Sequence, residues 1–235
     1  MTMYLPNRDV RPTGYEAGEF IEPPPTVPDT EADSAPSPTD DEDDEPGDLH
    51  VDPEVAHEVA EAYLDAVDRH DPLTIAAFAR LTTETDELFR RMTCPGVSGA
   101  LRVFFTTCDA PYCDAKELIA SVTNLSTLEV TTVAADRDRR HPLMSNDLGG
   151  GYDRFRAVHD ALGHARTRRG FDRVGEFVAW RTQERFHSPL ARRALATELH
   201  GQHSVRWTTH DVARPKVFLL EAALVRRAQH EESHS

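Results

Sequence analysis

Nine of the sixteen prolines and 14 of the 41 acidic residues crowd into positions 1–50, which confines any folded core to the rest of the chain. This segment holds "PPP" at 23–25, the run "DDEDDE" at 40–45 and only two arginines, for a net charge of −12. It has few large apolar side chains to offset chain entropy, so a disordered acidic, proline-rich tail is expected over 1–50. Such a tail is a solvated extension, and its charge suits a basic partner. Residues 51–235 carry 27 acids and 24 bases, and are enough to bury one core. The overall charge of −15 therefore describes mainly the tail, and no basic face supports nucleic-acid binding.

No apolar run approaches the ~18–20 residues of a membrane span. The start, "MTMYLPNRDV", lacks the basic-then-apolar plan of a signal peptide. The expectation is a soluble cytoplasmic protein. Cys94, Cys108 and Cys113 are odd in number and lack CxxC spacing, which argues against a disulfide scaffold or a cysteine-built zinc site.

Local chemistry predicts the elements. Asp52-Pro53-Glu54 reads as a helix start, and Val55, Val59, Tyr63 and Val67 then recur every four residues. A second helix is predicted from Pro72 to about Met92, and "CPGVSG" ends it. "ALRVFFTT" (100–107) and "TLEVTTVA" (127–134) read as strands around a short helix at 114–122, a crossover that permits a parallel pair. From Gly151 the chain reads helical. One helix is expected to start at Ser188-Pro189 and stop before Gly201, and "ARPKVFLLEAALVRRAQH" is expected to close the fold as a helix. The predicted fold is α+β and mostly α, with a single domain over 51–230 and a frayed end at 231–235.

Two segments carry the chemistry. On an α-helical wheel Glu198 falls in the middle of the face made by Leu190, Ala191, Ala194, Leu195 and Leu199, while His200 falls opposite, among arginines. A carboxylate buried without a partner is costly, so Glu198 calls for a cation, a donor or a metal. His159 and His164, in "FRAVHDALGHAR", lie about 140° apart on an ideal helix. They can aim at one point only if the helix ends or bulges between them, and Gly163 is placed to allow that. Glu176 lies on a stripe with Ala179, Trp180, Gln183 and His187, for which the plain explanation is packing of Trp180.

"HDALGH" followed by "ATELHG" resembles the iron-binding motifs of the pterin-dependent aromatic amino acid hydroxylases, over about residues 155–205. The resemblance implies that His159, His164 and Glu198 bind a non-haem Fe(II), or another divalent metal, in a monooxygenase-like site acting on a small-molecule substrate. Two histidines and one carboxylate leave coordination positions open. In that frame Asp160 is an acceptor orienting a histidine, and Glu176 is an outer partner or a competing ligand; both are candidate catalytic residues. Arg156 and Arg206 suit an anionic substrate. No segment for stacking a pterin is identifiable.

Over about 110–205 the stretches "PYCDAKEL", "HPLMSND", "GEFVAW" and "SPLARRALATELHGQ" also resemble an uncharacterised domain of phage and mobile-element proteins. That likeness groups Asn146, Glu176, Trp180, Thr197, Glu198 and Gln202 with the histidines, and implies that Asn146, Trp180 and Gln202 contact substrate.

Two other readings stay open. "VHDALGH" is similar to the core of HD-domain phosphohydrolases, with His159 and Asp160 as ligands and His141 and Asp211 as the available completions. Alternatively the domain is a non-enzymatic interaction module with the tail as its recruiting arm. His200 and His203 are expected at the surface.

Overall fold

A computed structural model describes residues 52–133, 141–145 and 147–230, which lie within the unit Glu45–Ser235. The expectations for the tail, for Asn146 and for 231–235 fall outside the described residues. The architecture is mostly helical with one small sheet.

Side-chain caps set most helix starts. Helix α1 (Pro53–Asp65) begins where the Asp52 carboxylate accepts from the Glu54 amide, and α2 (Pro72–Thr93) where Asp71 accepts from Leu73 and Thr74. Proline occupies the first position of both, where its missing N–H costs nothing. Strand β1 (Arg102–Thr106) and strand β2 (Thr127–Thr131) pair in parallel, from Arg102↔Thr127 to Thr106↔Thr131. The crossover holds α3 (Ala115–Ala120) and a π-helical turn, Ser121–Leu125. Leu128 and Val130 point inward and Glu129 outward, the alternation of a sheet buried on one face.

Helix α4 (Gly151–His159) ties the sheet to the rest. With the π-helical turn that continues it (Asp160–Ala165), it sends Ala157, Ala161 and Ala165 against Leu118, Leu128 and Val130. Its Tyr152 and Phe155 join the larger core around Tyr63, Phe78, Leu81, Trp180 and Leu195. That core is supplied by α1, α2, α5 (Arg173–Glu184) and α6 (Pro189–Ala196).

Two expectations are corrected. The helix begun at Pro189 does not stop before Gly201. It passes through a π-helical turn, Thr197–Gly201, into α7 (Gln202–Thr209). Gly201 has an ordinary helical φ of −61°, and a Cβ there would lie 2.6 Å from Tyr63 Cδ2. Glycine at this position lets α1 approach and is not a stop signal. The closing helix, α8, spans only Ala222–His230. The residues before it form no regular helix: Val217, Phe218 and Leu220 are buried, and the Lys216 ammonium donates to the carbonyls of Tyr63, Leu64 and Ala66 at the end of α1. Among the described residues no helix is long and apolar enough to cross a membrane.

Candidate metal centre

The π-helical turn answers the geometric problem of His159 and His164. Its backbone bonds run between residues five apart. Positions i and i+5 therefore stand one above the other, as i and i+4 do in an α-helix. The two imidazoles come together with ring centroids 4.8 Å apart and planes at 85°. Gly163, inside the turn, leaves room for α5: a Cβ there would lie 2.7 Å from Ala179 Cβ.

Helix α5 supplies the carboxylate. Asp172 caps it through the Gly175 amide, which sets Glu176 in the first turn, buried beneath the histidines. Glu176 Oε2 lies 3.3 Å from His159 Nε2, 3.4 Å from His164 Nε2 and 2.8 Å from His203 Nδ1. One ligand atom from each of His159, His164 and Glu176 lies within 4.8 Å of the others, so this cluster could hold a metal ion. Metal–nitrogen and metal–oxygen bonds of about 2.0–2.1 Å give ligand–ligand edges of about 2.9 Å in an octahedron and about 3.3 Å in a tetrahedron. The carboxylate–imidazole separations of 3.3 and 3.4 Å lie at the tetrahedral end of that range.

The far side of each ring decides which nitrogen carries the proton. His164 Nδ1 faces the Arg169 carbonyl at 3.3 Å, and His159 Nδ1 faces Gln183 Oε1 at 3.1 Å. Both partners are acceptors, so both Nδ1 atoms carry the hydrogen. Both Nε2 atoms then face one carboxylate oxygen, an arrangement that repels unless a metal ion or a proton stands between. Burial raises the Glu176 pKa, but His203, His159 and His164 overcome it and hold the carboxyl well below its usual range. Burial lowers His164, and its bond and charge contact with Glu176 more than reverse that, leaving it raised.

The expected third ligand, Glu198, is engaged elsewhere. It is 2% exposed, as the helical wheel required, and its Oε1 accepts from His141 Nε2 at 2.8 Å. The Leu143 amide donates to His141 Nδ1, which leaves the hydrogen on Nε2. Gln202 Nε2 donates to Glu198 Oε2, also at 2.8 Å, and Tyr152 lies against Gln202. The carboxylate that converges with the two histidines is therefore that of Glu176, with Glu198 on the wall of the same cavity.

That cavity, of about 590 Å³, is also lined by Tyr112, Arg156, Asp160, Phe171, Gln202, His203 and Arg206. Burial raises the Asp160 pKa, against the pull of His159 and His164. Arg156 donates to the Thr131 carbonyl at 3.0 Å. Trp180 does not border the cavity. It is fully buried and stacked on His200, with centroids 4.4 Å apart and planes 8° apart. Asn146 lies outside the described residues.

His200 is a correction. It is 6% exposed, because the π-helical turn unwinds the wheel that had placed it outside. His203 is half-buried against Glu176 and was also expected at the surface. A signal for it was present: Glu198 and His203 stand five apart around Gly201, as His159 and His164 do around Gly163. The phosphohydrolase set does not assemble, since His141 binds Glu198 and Asp211 is exposed, its amide on Thr209 Oγ1. No family model, curated protein or solved structure matches this chain.

Proposed function

We propose that this protein is a mononuclear non-haem metalloenzyme of the oxygenase type, with His159, His164 and Glu176 as ligands of one Fe(II). The supporting observation is the convergence at the cluster: two imidazole Nε2 atoms face a single carboxylate oxygen, and the Nδ1 of each ring faces a carbonyl or amide oxygen behind it. Locking the far nitrogen on an acceptor is the usual way a protein orients a metal-ligating histidine. A donor set of imidazole and carboxylate without thiolate suits Fe(II), and a three-ligand set leaves positions at which the metal supplies dioxygen activation.

The chain's own residues define the rest of the site. Asp160, on the cavity wall beside both histidines, has its pKa raised by burial, which suits its carboxyl to holding or passing a proton. Arg156 and Arg206 line the cavity and make no close ion pair among the described residues, although Arg156 lies near enough to Asp160 to pull on its carboxyl, whereas Arg80, Arg90, Arg91, Arg154 and Arg227 each pair with an acid. They suit a small substrate carrying a carboxylate or phosphate. Gln202, tied to Glu198, offers an amide on the same wall.

Anaerobic titration with Fe(II) tests the assignment. One equivalent is expected to bind, with binding lost in His159→Ala, His164→Ala and Glu176→Ala and retained in Glu198→Ala. Nitric oxide, a surrogate for dioxygen, is expected to bind the ferrous protein and change its electron paramagnetic resonance spectrum. Binding that survives Glu176→Ala but not Glu198→Ala would reverse the choice of carboxylate. A ferrous protein that ignores nitric oxide would end the oxygenase reading.

A further inference from the structure

Behind the cluster lies a second, much smaller chamber of about 20 Å³. Glu176 and His203 line both it and the large cavity, so these two side chains form the wall between them. Its other walls include Arg173, His200 and Trp207. Arg173 Nε, Trp207 Nε1 and His200 Nε2 are all buried, and each lacks a hydrogen-bond partner among the described residues. Buried polar atoms left unpaired cost about 1–3 kcal/mol each, so three around one small space need an explanation. Glu176 adds to the case. Each of the three imidazoles makes its close contact with Oε2.

A space of about 10–15 Å³ with two to four polar partners holds one water molecule. The donor and acceptor count matches as well. The N–H groups of Arg173 Nε and Trp207 Nε1 can only donate, and they fill the two lone pairs of a water. Burial holds His200 down to about 3, so its ring is neutral and its Nε2 can accept one hydrogen from that water. The carboxylate of Glu176 takes the other. A halide would accept from the two N–H groups but would bring a negative charge against Glu176 and leave His200 Nε2 unserved.

We infer that this chamber is a solvent-binding site holding one trapped water, through which Trp207, Arg173 and His200 position the carboxylate of Glu176 from behind. The inference rests on Glu176 being a metal ligand, as proposed above. Trp207 is then a positioning residue for the metal centre, acting at one remove from it.

A crystal structure of the full chain is the direct test. One spherical density peak is expected in the chamber, within hydrogen-bond distance of Trp207 Nε1, with no bromide signal there after a bromide soak. An empty chamber or a bromide peak overturns the inference. In solution, Trp207→Phe keeps the ring bulk and removes the N–H. It is expected to bind one equivalent of Co(II) still, with Kd raised about tenfold and the visible absorption of bound Co(II) altered. An unchanged Kd and spectrum overturn the inference while leaving the metal assignment standing. A wild-type chain that binds no Co(II) sinks the metal assignment instead, and the density peak then decides on the water alone. If Trp207→Phe does not fold, Ala56→Val, which fills the chamber from α1, is expected to weaken Co(II) binding in the same way; retention of wild-type affinity there counts against the inference.

Discussion

Two buried carboxylates face the same cavity, each against imidazole, and they are solved differently. At Glu198 every polarity matches: His141 Nε2 donates to one oxygen and Gln202 to the other, and the Leu143 amide holds His141 in the required tautomer. Nothing further is needed. At Glu176 three imidazole nitrogens approach one oxygen, and the two histidines of the π-helical turn are turned so that their Nε2 atoms face it. The first arrangement is a finished hydrogen-bond network, and the second is a cluster that could hold a metal ion. The difference teaches that burial of a carboxylate beside histidine says little about metal binding. The proton inventory on the far side of each ring is what separates the two cases.

The largest effect follows from breaking the finished network. Glu198→Ala leaves His141 and Gln202 buried with unpaired donors and is expected to cost about 3–5 kcal/mol of stability, with or without metal. Urea unfolding of the stripped and metal-loaded protein measures it. A loss seen only in the loaded protein would make Glu198 a ligand and erase the contrast. Metal itself comes next. Divalent metal at 100 times its Kd is expected to stabilise the wild type by about 2.7 kcal/mol, and Glu176→Ala by nothing. An equal gain in Glu176→Ala would move the site away from this cluster.

Much of the fold is legible in sequence because its signals are local. Asp52, Asp71, Asp114 and Ser188 each cap a helix through a side chain acting within three residues, and the parallel strand pair follows from two short β-branched runs around a helix. The site is legible only in part, because a helical wheel assumes 100° per residue throughout. That assumption holds as far as Glu198, whose burial was foreseen, and fails across the π-helical turn for His200 and His203. The same kind of turn was foreseeable at Gly163, where two histidines five apart require it. In sequence Glu176 reads as an outer partner or a competing ligand. Its advantage over Glu198 depends on how α5 packs under the turn, which is tertiary information. Gln183, on the same stripe, was the available hint: a second buried polar group there has to meet something, and it meets His159.

Two histidines then titrate with opposite sign, which sharpens the contrast between a packed imidazole and one in the candidate metal cluster. His200 is pushed down to about 3 by burial against Trp180. Below the ordinary imidazole value of 6.5 the unfolded chain takes up a proton that the folded chain refuses, so stability falls as pH drops from about 6.5 towards 3, by about 1.4 kcal/mol per unit at full slope. His200→Phe is expected to flatten that limb in denaturant curves taken at several pH values, and an unchanged limb would mean that another group controls it.

His164 gives the smaller and opposite effect. Its folded pKa is raised by Glu176, so in the stripped protein it contributes stability that is fully present below the unfolded value of 6.5 and is lost as pH rises through the folded one. A metal displaces that proton, because a ligating imidazole must be neutral. Loading at a pH where His164 is still protonated should therefore release a fraction of a proton, and metal affinity should rise with pH until His164 is fully deprotonated. Calorimetric titration in two buffers of different ionisation enthalpy reads the release directly. The same release from Glu198→Gln is expected, since that network takes no part. A metal that binds the wild type with no proton released at any pH in this range would mean that the stripped cluster carries no proton for the cation to replace, and that Glu176 and the two imidazoles tolerate one another without a cation, as Glu198 and His141 do.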